Sequence, residues 1–338
     1  MLEGGIGMIP ETMKAVVLTA PVKAEDVRPT DVPVPSVRPG WVLVKVKAFG
    51  MNHSEQILRQ SEIRADYIRK PLIPGIECVG EIADPSDSRF RKGDKVAAFM
   101  GGMGRSFHGS YAQYALLPAH HVFAVFSELS WTELAAVPET YFTAWGSLFQ
   151  CLDLRTEDVL LVRGATCALG YAAIQLAKAM GCRVIATTHK EEKLSLLGEA
   201  DAVVEDTGRL AESEAFHRAV KEMKAVTKAL ELVGSKTLRD TLQCMGPGGV
   251  VCNTGVLGGV FALRGFDPIK DIPNGVYLTG FHSNWPSQKD VDAIFDFLER
   301  NRLKPCVGKV FPFSKVREAC MAMDDGTVNG KIVVSVSE

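Results

Sequence analysis

The chain has 338 residues, enough for two domains of ordinary size, each with its own core. Lys and Arg number 38 against 40 Asp and Glu, a net charge of -2 with no basic stripe, which argues against nucleic acid or an anionic membrane as the main partner. No apolar run is long enough to span a bilayer, and no two of the cysteines have Cys-x-x-Cys spacing.

Residues 1–12 contain Glu3 and Glu11 and no basic residue, so they read as a disordered extension rather than a secretion signal. Residues 15–18, 41–48, 78–83, 95–100 and 111–117 read as short strands with Gly and Pro punctuation, the pattern of a distorted barrel. The character changes near residues 132–136. A helix is expected over 140–151, then strands at 159–163, 183–186, 202–205, 228–232, 249–254 and 276–280 with helices between, a doubly wound parallel sheet. Residues 287–301 carry Val291, Ile294, Phe295 and Leu298 on one helical stripe. The tail, 330–336, reads as a strand that closes the first domain. The expected division is 13–137 with 287–338 for the β-rich domain and 138–286 for the sheet domain.

The first strand of the sheet domain carries the most information. Val159–Arg163 is followed by small residues and then by a helix over 171–180, stopped by Gly181. A strand, a tight turn and a helix N-terminus make a pyrophosphate site, because free N–H groups and the helix dipole face the anion. Gly164, Thr166, Cys167, Ala168, Leu169 and Gly170 are the residues expected there. Cys167 and Ala168 stand where the dinucleotide fingerprint has glycines, so an ordinary βα turn is the alternative reading.

About 20 residues on, the ribose-reading position falls at Thr187, Thr188, His189 and Lys190, with Lys193 close behind. An NAD site would place an acid there. Hydroxyls and cations suit a 2′-phosphate, so NADPH is the expected cofactor; otherwise Lys190 and Lys193 belong to a solvated helix beginning at Glu191. Thr254, Gly255 and Val256 end the fifth strand of this sheet, where the nicotinamide half should rest, and Phe281 and His282 end the sixth.

Several segments in order resemble the medium-chain dehydrogenase/reductase superfamily, and within it the zinc-free, quinone-oxidoreductase-like branch. They are Met13-Lys14-Ala15-Val16, Pro39-Gly40-Trp41-Val42, Pro74-Gly75-Ile76-Glu77, Gly93-Asp94-Lys95-Val96, Gly109-Ser110-Tyr111-Ala112, Thr143-Ala144-Trp145, Gly246-Pro247-Gly248-Gly249 and Gly330-Lys331-Ile332-Val333. The resemblance implies a GroES-like barrel domain built from both ends of the chain, with an inserted Rossmann cofactor domain. It also implies that zinc-dependent relatives would hold metal at the positions of Asn52 and Ile76 and near Glu139-Thr140-Tyr141, none of which is Cys or His here. His53 is the sole substitute nearby.

Without zinc to polarise an alcohol, the acceptor must already be electrophilic: a quinone or an α,β-unsaturated carbonyl. The resemblance places Asn52 in the cleft, against the cofactor ribose or nicotinamide, and Thr143 near the nicotinamide amide. A turn residue and a helix N-terminal hydroxyl are the plain alternatives. Several quinone reductases of this branch carry a tyrosine where this chain has Ile57; Tyr67, Arg105, His108 and Tyr141 are the other candidate donors. Residues 101–109 read as a flexible loop able to cover the substrate, or as plain surface. The reading is thus an NADPH-dependent, metal-free, cytoplasmic reductase, with an NADPH-binding, redox-linked interaction module of little turnover as the alternative. A homodimer is expected through the strand at 276–280. Cys167, at a helix N-terminus, is either the most reactive thiol of the chain or a small buried filler.

Overall fold

The computed structural model describes residues 8–336. The described chain divides into two compact units. One holds Met1–Glu139, Asn284–Glu299 and Val307–Glu338 so far as they are described; the other holds Thr140–Ser283 and Arg300–Cys306. The second unit thus starts two residues later than expected, and it regains Arg300–Cys306. Gln175 anchors that return, donating from Nε2 to the Lys304 carbonyl at 3.1 Å. Of the expected disordered extension, residues 1–7 lie outside the described residues. The Glu11 carbonyl accepts from the Val34 N–H, and a strand starts at Thr12, so order begins before Met13.

The strands in chain order are β1 Thr12–Val16, β2 Pro29–Pro33, β3 Trp41–Gly50, β4 Glu77–Asp84, β5 Lys95–Phe99, β6 Tyr114–Pro118, β7 Val122–Ala124, β8 Val159–Arg163, β9 Arg183–Thr188, β10 Ala202–Glu205, β11 Lys228–Glu231, β12 Val250–Asn253, β13 Tyr277–Gly280, β14 Val307–Pro312 and β15 Lys331–Ser335. In the first unit the order is β14-β15-β3-β4-β5-β7, with β6 also paired to β3. The ten-residue β3 meets three neighbours along its length, which bends the sheet toward a barrel. The tail strand β15 lies antiparallel to β3, closing the unit with the far end of the chain. Regular pairing starts at Tyr114 rather than at residue 111. The preceding residues bond elsewhere, Tyr111 N–H to the Pro74 carbonyl and Gln113 N–H to that of Lys14.

The second unit has six parallel strands in the order β10-β9-β8-β11-β12-β13. All five residues of β8 are buried, as a strand covered on both faces requires. The direction of winding reverses between β8 and β11, so ligands are expected outside their carboxyl ends. The edge strand β13 leaves Tyr277 63% exposed. The helix expected over 140–151 is α-helical only over Pro138–Trp145 and then widens into a π-helix, Gly146–Cys151. There Gly146 lies directly against the Phe281 ring. The helix after β8 starts at Ala168, three residues earlier than expected, because Cys167 takes the extended capping conformation.

Gly170 lies in the first turn of that helix. A Cβ there would stand 2.2 Å from the Ala165 carbonyl oxygen, in backbone that cannot step aside. Gly170→Ala should therefore cost about 1–3 kcal/mol. Urea unfolding checks this: an unchanged midpoint would show that the turn can relax.

Candidate functional site

The turn after β8 is fixed from below. Gly164 has φ +80, a conformation that glycine adopts freely. Its N–H donates to Thr187 Oγ1 at 3.2 Å, and the Ala165 N–H donates to the Thr187 carbonyl at 2.8 Å. Thr166 Oγ1 pairs with Thr188 Oγ1 at 3.0 Å, and Thr188 Oγ1 also accepts from the Lys190 N–H. Thr187 and Thr188 are both buried. Their hydroxyls therefore tie β9 to the turn. His189 remains exposed at the end of β9, with Lys190 and Lys193 beside it.

The helix Ala168–Ala179 presents its N-terminus at this turn. The Ala168 and Leu169 N–H groups have no partner within the helix, as at any helix start. Cys167 caps it: its Sγ accepts from the Gly170 N–H at 3.3 Å and lies 3.6 Å from the Gly164 carbonyl. Gly164, Thr166, Cys167, Ala168 and Leu169 are all half-buried, so a surface of small groups faces outward. Free N–H groups at such a helix start attract an anion.

Beneath the turn lies a network that sequence reading missed. Arg163 is wholly buried and holds Asp206 with two bonds, Nε to Oδ2 at 2.7 Å and Nη2 to Oδ1 at 2.9 Å. Its Nη1 meets Asp240 Oδ2 at 2.6 Å and Thr241 Oγ1 at 2.9 Å. Burial opposes ionisation of Asp206, but the guanidinium outweighs it and holds the carboxyl below its ordinary value. Glu231, at the end of β11, accepts from the Val233 and Gly234 N–H groups and from Thr237 and Thr241; burial pushes its carboxyl up. The sequence signal was a charged residue closing each of two apolar strands.

At the ends of β12 and β13 the expected residues come together in part. Thr254 Oγ1 lies 2.9 Å from Ser147 Oγ, and the Thr254 and Gly255 N–H groups both donate to the Glu231 carbonyl. Val256 is half-buried, Phe281 packs edge-on against Phe142, and His282 is exposed. Thr143 is buried in the helix Pro138–Trp145. Tyr141 is buried and donates to Gln175 Oε1 at 2.5 Å, and burial pushes its hydroxyl up.

In the first unit, Asn52 opens the helix His53–Gln60 and is held on every side. Its Oδ1 accepts from Lys331 Nζ at 2.6 Å, its Nδ2 donates to Glu77 Oε1 at 2.8 Å, and its N–H donates to Glu55 Oε2 at 2.8 Å. Lys331 and Glu77 form a buried ion pair at 2.6 Å. Glu77 also accepts from the Glu139 N–H, and Glu55 from the Ile76 N–H. A catalytic zinc does not fit this donor set. Asn52 holds an ammonium, Ile76 is a buried hydrocarbon, and among the described residues no three His, Cys, Asp or Glu side chains converge on a metal position. His53 instead bonds Gln56.

Two of the candidate donors meet through a residue that sequence reading passed over. Glu62 accepts from Tyr67 Oη at 2.7 Å and from Arg105 Nε and Nη2 at 2.9 and 2.7 Å. His108 accepts the Ile73 N–H on Nδ1. Residues 101–109 are held by the Arg105 pair and by the Gly109 N–H on the Ile73 carbonyl at 2.7 Å.

Residues 38–127 match the family model of the alcohol dehydrogenase GroES-like domain, and residues 168–300 that of zinc-binding dehydrogenases. Human quinone oxidoreductase is 29% identical over 322 residues, covering 90% of this chain and 92% of its own. The crystal structure of AibC has a TM-score of 0.85 at 26% identity, covering 97% of both chains. Crotonyl-CoA carboxylase/reductase AntE, solved in complex with NADP, has a TM-score of 0.85 at 23% identity, covering 98% of this chain and 96% of its own; that likeness is one of fold.

Two outcomes test the local arguments. Lys331→Met leaves the Glu77 carboxylate buried and unpaired, and should cost about 3–5 kcal/mol; adding Glu77→Gln should recover much of it in urea melts. The capping position should also make Cys167 the fastest thiol to alkylate. Burial pushes the thiols of Cys78, Cys182, Cys244, Cys306 and Cys320 up. Mass-spectrometric mapping after brief iodoacetamide treatment checks the order, and labelling of Cys167 no faster than the other seven would reject it.

Proposed function

Because this chain belongs to the medium-chain dehydrogenase/reductase superfamily, in its quinone-oxidoreductase-like branch, we propose that it uses NADPH to reduce a quinone or an α,β-unsaturated carbonyl without zinc. That it is an oxidoreductase of this superfamily follows from the same matches. The observation that carries the cofactor choice is the end of β9. No acid stands there to bind a ribose 2′-hydroxyl, and Lys190 and Lys193 stand close together. Burial first, and then Lys190, hold the Lys193 ammonium below its ordinary value. A phosphate dianion at this point would relieve that repulsion.

The bound nicotinamide would supply the hydride. Gly164, Thr166, Cys167, Ala168, Leu169 and Gly170 are proposed against the pyrophosphate, His189 and Lys193 against the 2′-phosphate, and Thr254, Gly255, Val256, Phe281 and His282 against the nicotinamide half. Thr143 and Asn52 are proposed to orient the reacting ring. Negative charge develops on the acceptor oxygen and needs hydrogen-bond donors aimed at it. Tyr67, Arg105 and Tyr141 are the proposed donors; Glu62 holds the first two and Gln175 the third, so each would have to turn from its present partner to serve. An acceptor that is already electrophilic suits a site whose Asn52 holds a lysine rather than a metal. That both polar ends of Asn52 are engaged also supports the second reading, an NADPH-binding module with little turnover. We further propose a homodimer through β13, whose exposed Tyr277 and Leu278 mark an open sheet edge.

Wild type should bind NADPH more tightly than NADH, and Lys193→Ala should weaken NADPH by about 1.5–3 kcal/mol while sparing NADH. Fluorescence titration checks both, and equal affinities in wild type would end the preference. NADPH should be consumed with a panel of quinones and enones at an undiminished rate in chelator. Tight NADPH binding with no turnover on any acceptor would select the second reading. Light scattering should give a dimer mass, and a monomer at micromolar concentration would refute the proposed edge pairing.

A further inference from the structure

The π-helix Gly146–Cys151 ends at a thiol that neither the fold nor the proposed reaction requires. Cys151 is half-buried, and its Sγ lies 3.5 Å from the Gly280 carbonyl. Gly280 pairs across the sheet with Asn253, the residue after Cys252. Cys252 is buried at the end of β12, with its Sγ 3.3 Å from Thr254 Oγ1. Ser147, one turn before Cys151, holds the same Thr254 hydroxyl at 2.9 Å. Cys151 is also a near electrostatic neighbour of Cys252 and helps push its thiol up. Two thiols thus meet where Thr254 begins the segment proposed to hold the nicotinamide half. A π-helical turn is a frequent mark of a functional position, and here it brings Cys151 to the strand ends.

We propose that Cys151 and Cys252 are a peroxide-sensitive dithiol, whose reversible disulfide weakens cofactor binding. The effect on cofactor rests on the proposed NADPH site; the disulfide itself does not. Burial, with the adjacent Cys151, pushes the Cys252 thiol up, so Cys252 waits as a thiol while the more accessible Cys151 reacts first. The Cys151 thiolate attacks one peroxide oxygen, the O–O bond breaks, and the departing hydroxide takes a proton to become water. Cys252 sulfur then attacks the resulting sulfenic acid, the S–O bond breaks, and the hydroxide leaves as water with the Cys252 proton. Two thiols are oxidised to one disulfide, and one peroxide is reduced to two waters. The bond draws Cys252 sulfur away from Thr254 and ties the π-helical turn to β12.

The full chain should be treated with increments of hydrogen peroxide, blocked with alkylating agent and mapped by mass spectrometry, with NADPH affinity measured on the same samples. A Cys151–Cys252 linked peptide should accumulate while NADPH binding weakens at least tenfold, and dithiothreitol should reverse both. Cys151→Ser, with Cys151→Ala as a second variant, should keep its NADPH affinity at peroxide doses where mapping shows Cys167 unmodified. Absence of the linked peptide overturns the proposal. So does a linked peptide with unchanged affinity, or a Cys151 variant that loses binding as wild type does. If reduced wild type does not bind NADPH, the functional reading fails, and the linked peptide still decides the disulfide.

Discussion

A guanidinium with no access to water organises the carboxyl edge of the parallel sheet. Arg163 ends β8, meets Asp206 after β10, and reaches Asp240 and Thr241 on the helix Leu238–Gln243. Taking these charges out of water is costly, and the cost is offset only when each finds good partners. Three segments far apart in sequence must therefore arrive together. Asp240 also accepts the Leu210 and Ala211 N–H groups, and Asp206 that of Gly208, so the loop after β10 is set by the same charges. Gly164 follows Arg163 directly. The turn proposed to hold phosphate thus starts from a residue fixed by two carboxylates and a hydroxyl, which is how a loop of small side chains keeps one shape.

The first unit solves a similar problem with lysine. Lys331 comes from the last strand, Glu77 from β4 and Asn52 from the start of a helix, and the three are joined by bonds of 2.6–2.8 Å. A buried ion pair of this kind contributes little net stability, yet removing one member is expensive, so its main effect is to fix position. Asn52 has no freedom left once both ends of its amide are held. Whatever it touches, it touches from a fixed place. The positive charge there comes from the ammonium, and this makes the donor set unsuited to a metal cation.

The accessible chemistry of the second unit lies in small polar groups rather than strong acids or bases. Thr254, Ser147, Cys252 and Cys151 form a chain of weak donors and acceptors at the strand ends. Such groups suit hydride transfer, in which a cofactor supplies the electrons and the protein positions, shields and hydrogen-bonds. They also leave sulfur as the most oxidisable element nearby.

The sequence by itself determined the two-part architecture, the apolar β8, the small-residue turn and the missing acid after β9. Each depends on local composition: burial on both faces needs a continuous apolar run, and a tight turn into a helix needs small residues. Most strands could be read for the same reason. The regular apolar pattern of the helix Ala168–Ala179 shows only from 171, because a cysteine in an extended capping conformation leaves no distinct local pattern, although Cys167 could be placed near its N-terminus. The short strands β2 and β14 also escaped, since Pro and Gly within them hide the alternation. Only the tertiary structure decided that Thr187 and Thr188 point inward, that Tyr141 is spent on Gln175, and that Glu62 joins Tyr67 to Arg105. It alone paired Lys331 with Asn52, 279 residues earlier, and set Cys151 against Cys252. A hydroxyl, a carboxylate or a thiol carries no mark of its partner in the chain. The partner is chosen by where the strands end, and by the high cost of leaving a buried polar group without one.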